Sequence, residues 1–174
     1  FLILYVSFSI KISFYDIIIK ESKVGGYTMK IAIGSDHGGY ELKEQIKNYL
    51  AKKPVEITDF GTNSNDAVDY PDYGKKVGLA VTKDDFDFGI VLCGTGIGIS
   101  ISANKVKGVR AALVYDELTG KLAKEHNNAN IIALGGRTTS FEQATKILDA
   151  YMNASYEPRH QKRLDKIKKI EENE

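Results

Sequence analysis

The chain has 174 residues, 43% of them apolar, and a formal charge of +1, which is material for one domain around a single core. Its 24 Lys and Arg and 23 Asp and Glu are interspersed. They give no field of the kind that general nucleic-acid or anionic-membrane binding needs, so any anion specificity is local. A solitary cysteine makes no internal disulfide, the absence of CxxC pairs argues against a structural zinc site, and a reducing cytoplasm suits such a chain best.

Residues 1–28 differ in character from the rest, being rich in Ile, Phe and Tyr, but Lys11 and Asp16 interrupt the apolar run before it reaches bilayer-spanning length. No basic n-region or small-residue cleavage site marks a secretory signal. The stretch reads as an N-terminal extension unrelated to function. Gly25-Gly26-Tyr27-Thr28-Met29 can be encoded as a purine-rich ribosome-binding sequence followed by a start codon, so Met29 is a candidate true start and residues 29–174 the functional domain. The alternative is a genuine extension packed as an added strand.

From Met29 onward, short apolar runs alternate with longer amphipathic stretches, the pattern of a parallel sheet covered by helices. Strands are expected at Lys30 to Gly34, Val55 to Phe60, Phe88 to Cys93, Val109 to Val114 and Asn130 to Leu134. Leu42, Ile46, Tyr49 and Leu50 recur at helical spacing after the first. Ser140 with Gln143 three residues on predicts a capping box, followed by the stripe Phe141, Ala144, Ile147, Leu148 and Tyr151. Beyond Pro158 a charged helix carries only Leu164, Ile167 and Ile170 as an apolar seam, too little to dock on a large core of its own. The expected fold is therefore α/β, a three-layer Rossmann-like five-stranded parallel sheet with helices on both faces and a C-terminal helix packed on a neighbouring subunit.

Ligands of open α/β sheets bind beyond the carboxyl ends of the strands. Those positions hold Ser35-Asp36-His37-Gly38-Gly39, the loop Asp69-Tyr70-Pro71, Cys93-Gly94-Thr95-Gly96-Ile97-Gly98, Tyr115-Asp116 and Gly135-Gly136-Arg137. Three alternate glycines after Cys93 permit close backbone approach, and a helix opening at Ile99 offers free N–H groups to an anion. The same partial charge favours a thiolate at Cys93, which makes it a candidate base. The loop lacks the Lys of a Walker A sequence and the third glycine of GxGxxG. Ile99 stands where a Cys-x5-Arg phosphate loop would need its arginine. Arg159 and Arg163, four residues apart, put two guanidinium groups on one helical face, where they could grip one phosphate. His37 and His126 could each merely cap or end a helix, although a histidine also suits proton shuttling. His37, His126, His160 and Cys93 show no ligand spacing such as HxxxH, so no metal site is expected.

With GSDHGGYELK, DYPDY, CGTGIGISISANK, KEHNNANIIALGGR and EPRHQKR in this order, the chain from Met29 to its end resembles the type B ribose-5-phosphate isomerases, a family that includes the subunits of galactose-6-phosphate isomerase. The resemblance implies interconversion of D-ribose 5-phosphate and D-ribulose 5-phosphate through an enediolate, with no metal or organic cofactor. It implies that Cys93 removes the proton between C1 and C2 and that His126 assists opening of the furanose ring. Asp36, His37, Tyr70 and Asn127 would line the sugar site, and Gly94, Thr95, Gly96, Ile97 and Gly98 would cradle its oxygens, with Thr95 placed to bond the developing oxyanion. Arg137, Arg159 and Arg163 would hold the phosphate. A homo-oligomer, dimer or tetramer, with active sites completed across the subunit interface is implied as well. Galactose-6-phosphate or allose-6-phosphate isomerisation is the alternative within enzymes, and a non-catalytic sugar-phosphate sensor the alternative outside them.

Overall fold

Among the described residues five parallel strands form, in the order β2-β1-β3-β5-β4: β1 (Met29–Ser35), β2 (Val55–Asp59), β3 (Phe88–Cys93), β4 (Ala111–Leu113) and β5 (Ile131–Gly135). The computed structural model describes residues 28–83 and 86–172, so the expectations placed on residues 1–27 lie outside the described residues. The central strands β3 and β5 are buried at every position, because helices cover both faces. The described residues form six helices, in chain order α1 (Tyr40–Leu50), α2 (Tyr70–Lys83), α3 (Ile97–Ala103), α4 (Glu117–Glu125), α5 (Phe141–Met152) and α6 (Gln161–Glu172), with short 3-10 turns at His37–Gly39 and Pro158–His160.

Alternation along the strands divides the core in two. Ile31, Ile33, Ile90, Leu92, Ile132 and Leu134 face α1, α4 and α5 and meet Leu42, Ile46, Ile147 and Leu148. Ala32, Val91, Ile131 and Ala133 point the other way, against Val77 of α2 and Ile99 and Ala103 of α3. The three layers expected from the sequence are thus present. Among the described residues no helix is long and apolar enough to cross a membrane.

Local departures have local causes. β4 is shorter than the run Val109 to Val114 because it lies at the sheet edge and Arg110 N–H donates to the Asn130 side chain, not to a strand. Asn130 likewise serves as a bracket, its amide nitrogen donating to Gly108 O, and β5 begins one residue later. Tyr70 and Pro71 are not loop residues but open α2, where a proline in the first turn loses no helical hydrogen bond. α3 starts at Ile97, ahead of the expected Ile99, after Gly96 in the left-handed conformation (φ 76°). The capping box at Ser140 is half made: its hydroxyl accepts from Gln143 N–H, but the Gln143 side chain donates to Tyr115 O. The reciprocal box belongs to Asp116 and Thr119 at the start of α4.

The most buried charge joins α1 to β2. Lys43 is 0% exposed, and its Nζ donates to Asp59 at 2.5 Å and Glu44 at 2.7 Å. Asp59 also accepts from Lys47 at 2.7 Å and from Gly61 N–H at 2.8 Å. Burial alone would raise the Asp59 carboxyl, but the hydrogen bonds from Lys43, Lys47 and Gly61 outweigh it and hold the group below its ordinary value. An acid held lower in the folded state than in the unfolded one contributes stability above its unfolded value, 3.8, and that contribution is lost as pH falls through the folded value. Asp59→Asn should cost about 3 kcal/mol in urea denaturation at pH 7, since it breaks a buried ion pair and leaves the Lys43 ammonium with Glu44 as its one carboxylate. The gap from wild type should narrow as the pH is taken below the ordinary carboxylate range.

Candidate active site

The carboxyl ends of β1, β3 and β5 bring three loops into contact, and the register sets which residues meet. Ser35 pairs with Leu92 and Cys93 with Gly135. The 3-10 turn after β1 is closed by Asp36, whose buried carboxylate accepts from Gly39 N–H at 3.2 Å. Gly136 N–H donates to Cys93 O at 2.8 Å and Arg137 N–H to Gly94 O at 2.9 Å. A Cβ on Gly136 would lie 2.3 Å from Gly38 O, and one on Gly38 would lie 2.8 Å from Gly94 N. Only glycines allow these backbones to approach so closely.

Cys93 ends β3 at 5% exposure, and its Sγ accepts from Gly96 N–H at 3.1 Å. That bond is charge-assisted when the sulfur is a thiolate. Beyond it the first turn of α3 presents N–H groups with no carbonyl partner in the helix, one of which, Ile97 N–H, lies 3.4 Å from Thr95 Oγ1. Thr95 is exposed. The Tyr70 ring lies against Gly98, where a Cβ would fall 2.6 Å from the ring, and the Arg137 guanidinium lies over Gly94, 3.2 Å from such a Cβ. His37 Nδ1 meets both the N–H and the carbonyl of Val68 at 3.2 Å, pinning the segment that leads to Tyr70. Asp36, His37, Tyr70, Cys93, residues 94–98 and Arg137 therefore form one neighbourhood. A thiol, backbone N–H donors and a guanidinium stand together there, groups that could serve proton transfer from carbon beside an anionic group.

His126, Asn127, Arg159 and Arg163 are not part of it. His126 caps the C-terminal end of α4, ahead of β5, whereas Cys93 aligns with Gly135 at the far end of that strand. β5 has five residues, so at roughly 3.3 Å per residue the two groups are separated by more than about 13 Å of strand. A second cluster surrounds His126 instead. Its ring stacks on His160 with centroids 4.2 Å apart, and Glu157 Oε2 lies 3.9 Å from His126 Nε2 and 3.5 Å from His160 Nε2. Arg159 belongs to the 3-10 turn, not to α6, and both its Nε and Nη2 bind Glu157 Oε2, at 2.7 and 2.6 Å. Arg163 instead donates to His160 Nδ1 at 2.6 Å. The two arginines thus do not share one α-helical face, as their spacing suggested, but have separate partners. The hydrogen bond from Arg159, with the charge of that guanidinium, holds the Glu157 carboxyl low. Burial, His126, Arg159 and Arg163 push the His160 imidazole down.

Arg110 donates to the carbonyls of Asn127 and Asn128 and fixes that turn, in which Asn128 has φ 40°. Nothing in the sequence marks it, since its partners lie 17 and 18 residues away. Glu157 and His160 lie in the charged segment around Pro158, whose spacing points to the arginines and offers His160 only as a metal ligand.

A family profile described as Ribose/Galactose Isomerase matches residues 31–167. The chain is 44% identical over 144 residues to ribose-5-phosphate isomerase B of Escherichia coli K12, covering 82% of this chain and 97% of that one. Its fold superposes on the structure of ribose-5-phosphate isomerase B of Clostridium thermocellum with a TM-score of 0.82 at 50% identity, covering 83% of this chain and 99% of that one. It also superposes on ribose-5-phosphate isomerase B of Mycoplasma genitalium with bound ribulose-5-phosphate, with a TM-score of 0.80 at 42% identity, covering 85% of this chain and 100% of that one.

His37→Ala leaves Val68 N–H without its imidazole partner. Losing a hydrogen bond worth about 1 kcal/mol should speed amide exchange at Val68 and its neighbours by roughly fivefold, measured by hydrogen–deuterium exchange, while exchange in β3 stays unchanged.

Proposed function

The chain belongs to the ribose/galactose isomerase family and is an aldose–ketose isomerase, and we propose that it interconverts D-ribose 5-phosphate and D-ribulose 5-phosphate through an enediolate with Cys93 as the base. The observation that carries this proposal is the position of Cys93, at the end of a central strand with its sulfur bonded to Gly96 N–H and the loop's amides beside it. Cys93 takes the proton between C1 and C2, and the electron pair moves onto the carbonyl oxygen. Thr95 and the amides of residues 94–98 bond the oxyanion that results. The hydroxyl proton then passes from O2 to O1, with Thr95 as its relay, and return of the carbon proton from Cys93 to C1 gives the ketose. These are proton transfers alone and call on no metal or organic cofactor.

Phosphate recognition falls to Arg137, Arg159 and Arg163, sugar contacts to Asp36, His37, Tyr70 and Asn127, and ring opening to His126. Because His126, Asn127, Arg159 and Arg163 sit at the opposite sheet edge from Cys93, one subunit supplies the base and another the ring-opening histidine. The functional unit is then at least a dimer. Two surfaces support this. Ile97 and Ile101, one turn apart on α3, are 52% and 57% exposed beside the cradle, and Ile167 and Ile170 leave the seam of α6 uncovered at 39% and 63%. A reduced single cysteine agrees with a cytoplasmic location.

In heavy water, wild-type protein should convert ribose 5-phosphate to ribulose 5-phosphate with solvent deuterium entering at C1 of the ketose and, on reversal, at C2 of the aldose, followed by NMR. Cys93→Ala should lower turnover by about 10²–10⁴ with substrate binding largely kept. Equal loss of binding and turnover would rule out the role of base. If the wild type neither exchanges nor isomerises this sugar, galactose 6-phosphate and allose 6-phosphate are the substrates to try next, and a protein inert toward all three is a sensor. Mixing inactive Cys93→Ala with inactive His126→Ala and allowing subunits to exchange should restore about one quarter of wild-type activity. Half of the dimers are then mixed, each with one intact site of two. No recovery would place both groups in the same subunit's site.

A further inference from the structure

His160 is buried at 7% exposure in a tail of charged residues that is mostly exposed. Its backbone N–H donates to Glu157 O, and Glu157 N–H donates to Glu125 O at the end of α4. The ring is therefore fixed from behind by α4 and on one face by the His126 stack. A guanidinium can only donate, so the 2.6 Å contact from Arg163 makes Nδ1 the accepting nitrogen. The ring proton is then on Nε2, which makes no hydrogen bond and lies 3.5 Å from Glu157 Oε2.

That tautomer decides between two uses of the cluster. His126, Glu157 and His160 bring three ligand-capable atoms within 4.8 Å of one another, a spacing that a divalent cation could draw together. Binding one through His160 Nε2 would need the lone pair moved there from Nδ1, breaking the Arg163 contact. It would also set the cation against the Arg159 guanidinium, which is already bound to the same Glu157 oxygen. The arrangement suits an anion instead. The two arginines are held differently: Arg159 is charge-paired with a carboxylate, whereas Arg163 is oriented by an uncharged acceptor. An imidazole lone pair fixes the direction of the guanidinium without neutralising it, leaving the full charge for a phosphate dianion.

We propose that His160 is a positioning residue for substrate phosphate, its Nδ1 lone pair holding Arg163 pointed and uncompensated; this rests on reading Arg163 as a phosphate ligand. His160 touches neither the reacting carbons nor the base, so its effect falls on binding that is equal in ground and transition states, and so on KM more than kcat.

The test compares His160→Phe, which keeps the stacked ring and loses the acceptor, with His160→Asn, whose amide oxygen takes the place of Nδ1. KM and kcat for ribose 5-phosphate and competitive inhibition by inorganic phosphate are read on the full-length chain. His160→Phe should raise KM and weaken phosphate inhibition about tenfold, as expected for losing a hydrogen bond to a charged group, with a much smaller change in kcat. His160→Asn should recover most of both. In the double variant His160→Phe with Arg163→Ala, the loss should be no greater than in Arg163→Ala alone. Wild-type values in His160→Phe, no rescue by Asn, or losses that multiply in the double variant would each overturn the positioning role. If Arg163→Ala itself leaves KM and phosphate inhibition unchanged, Arg163 is not a phosphate ligand and the role of His160 goes with it.

Discussion

The approach of three strand-end loops, backbone against backbone, governs the rest of this structure. Gly39 packs on Leu92, where a Cβ would lie 2.6 Å from the Leu92 side chain. Gly135 presses on Thr95, and Gly136 on the carbonyl of Gly38. Each contact leaves no room for even one methyl group, so the loops after β1, β3 and β5 behave as one rigid body. Cys93 and Arg137 inherit their relation from it, since the carbonyls of Cys93 and Gly94 accept from successive amides on the β5 loop. The site is preorganised by glycine packing, and the polar side chains are attached to a frame already set.

How much of this can be read from the sequence depends on the range of the interaction. The buried strands β3 and β5 are legible because a run covered on both faces is apolar at every position, and FGIVLC and IIALG are such runs. β4 is misjudged at its ends because an edge strand is finished by side chains, here Asn130 and Asn104, which bond the backbone of Arg110 and Ala111. The Ser140 box fails for a related reason, since Gln143 finds a tertiary partner in Tyr115 that no local pattern announces. The carboxyl-edge residues after β1, β3 and β5 are legible through topology, because parallel strands collect their ends. The motif around His126 is visible too, but spacing along a chain does not say at which sheet edge it falls. That follows from the direction of α4, which returns the chain to the amino-terminal side before β5.

Charge is handled differently at the two ends of the sheet. At the carboxyl edge the donors are mainly backbone amides, which carry no net charge, with the Arg137 guanidinium lying over Gly94 beside them. At the other edge the cations are real, and each is held by a neighbour, Arg159 by a carboxylate and Arg163 by an imidazole. The stacked His126 and His160 rings lie between these arginines and the end of α4. The long side chains of this cluster are thereby held in place by one another, Arg159 by Glu157 and Arg163 by His160.

Lys43 shows what full burial does to a residue usually found at surfaces. Its ammonium is enclosed at 0% exposure and satisfied by Asp59 and Glu44, while lysines such as Lys146 and Lys168 are open to solvent, at 59% and 75% side-chain exposure. An acylating reagent needs an open approach to the nitrogen, and Lys43 offers none until α1 separates from β2. Its chemical silence therefore serves as an internal clock for opening of the fold: labels accumulate on the exterior amines of the native protein, and the first label on Lys43 records a molecule that has come apart.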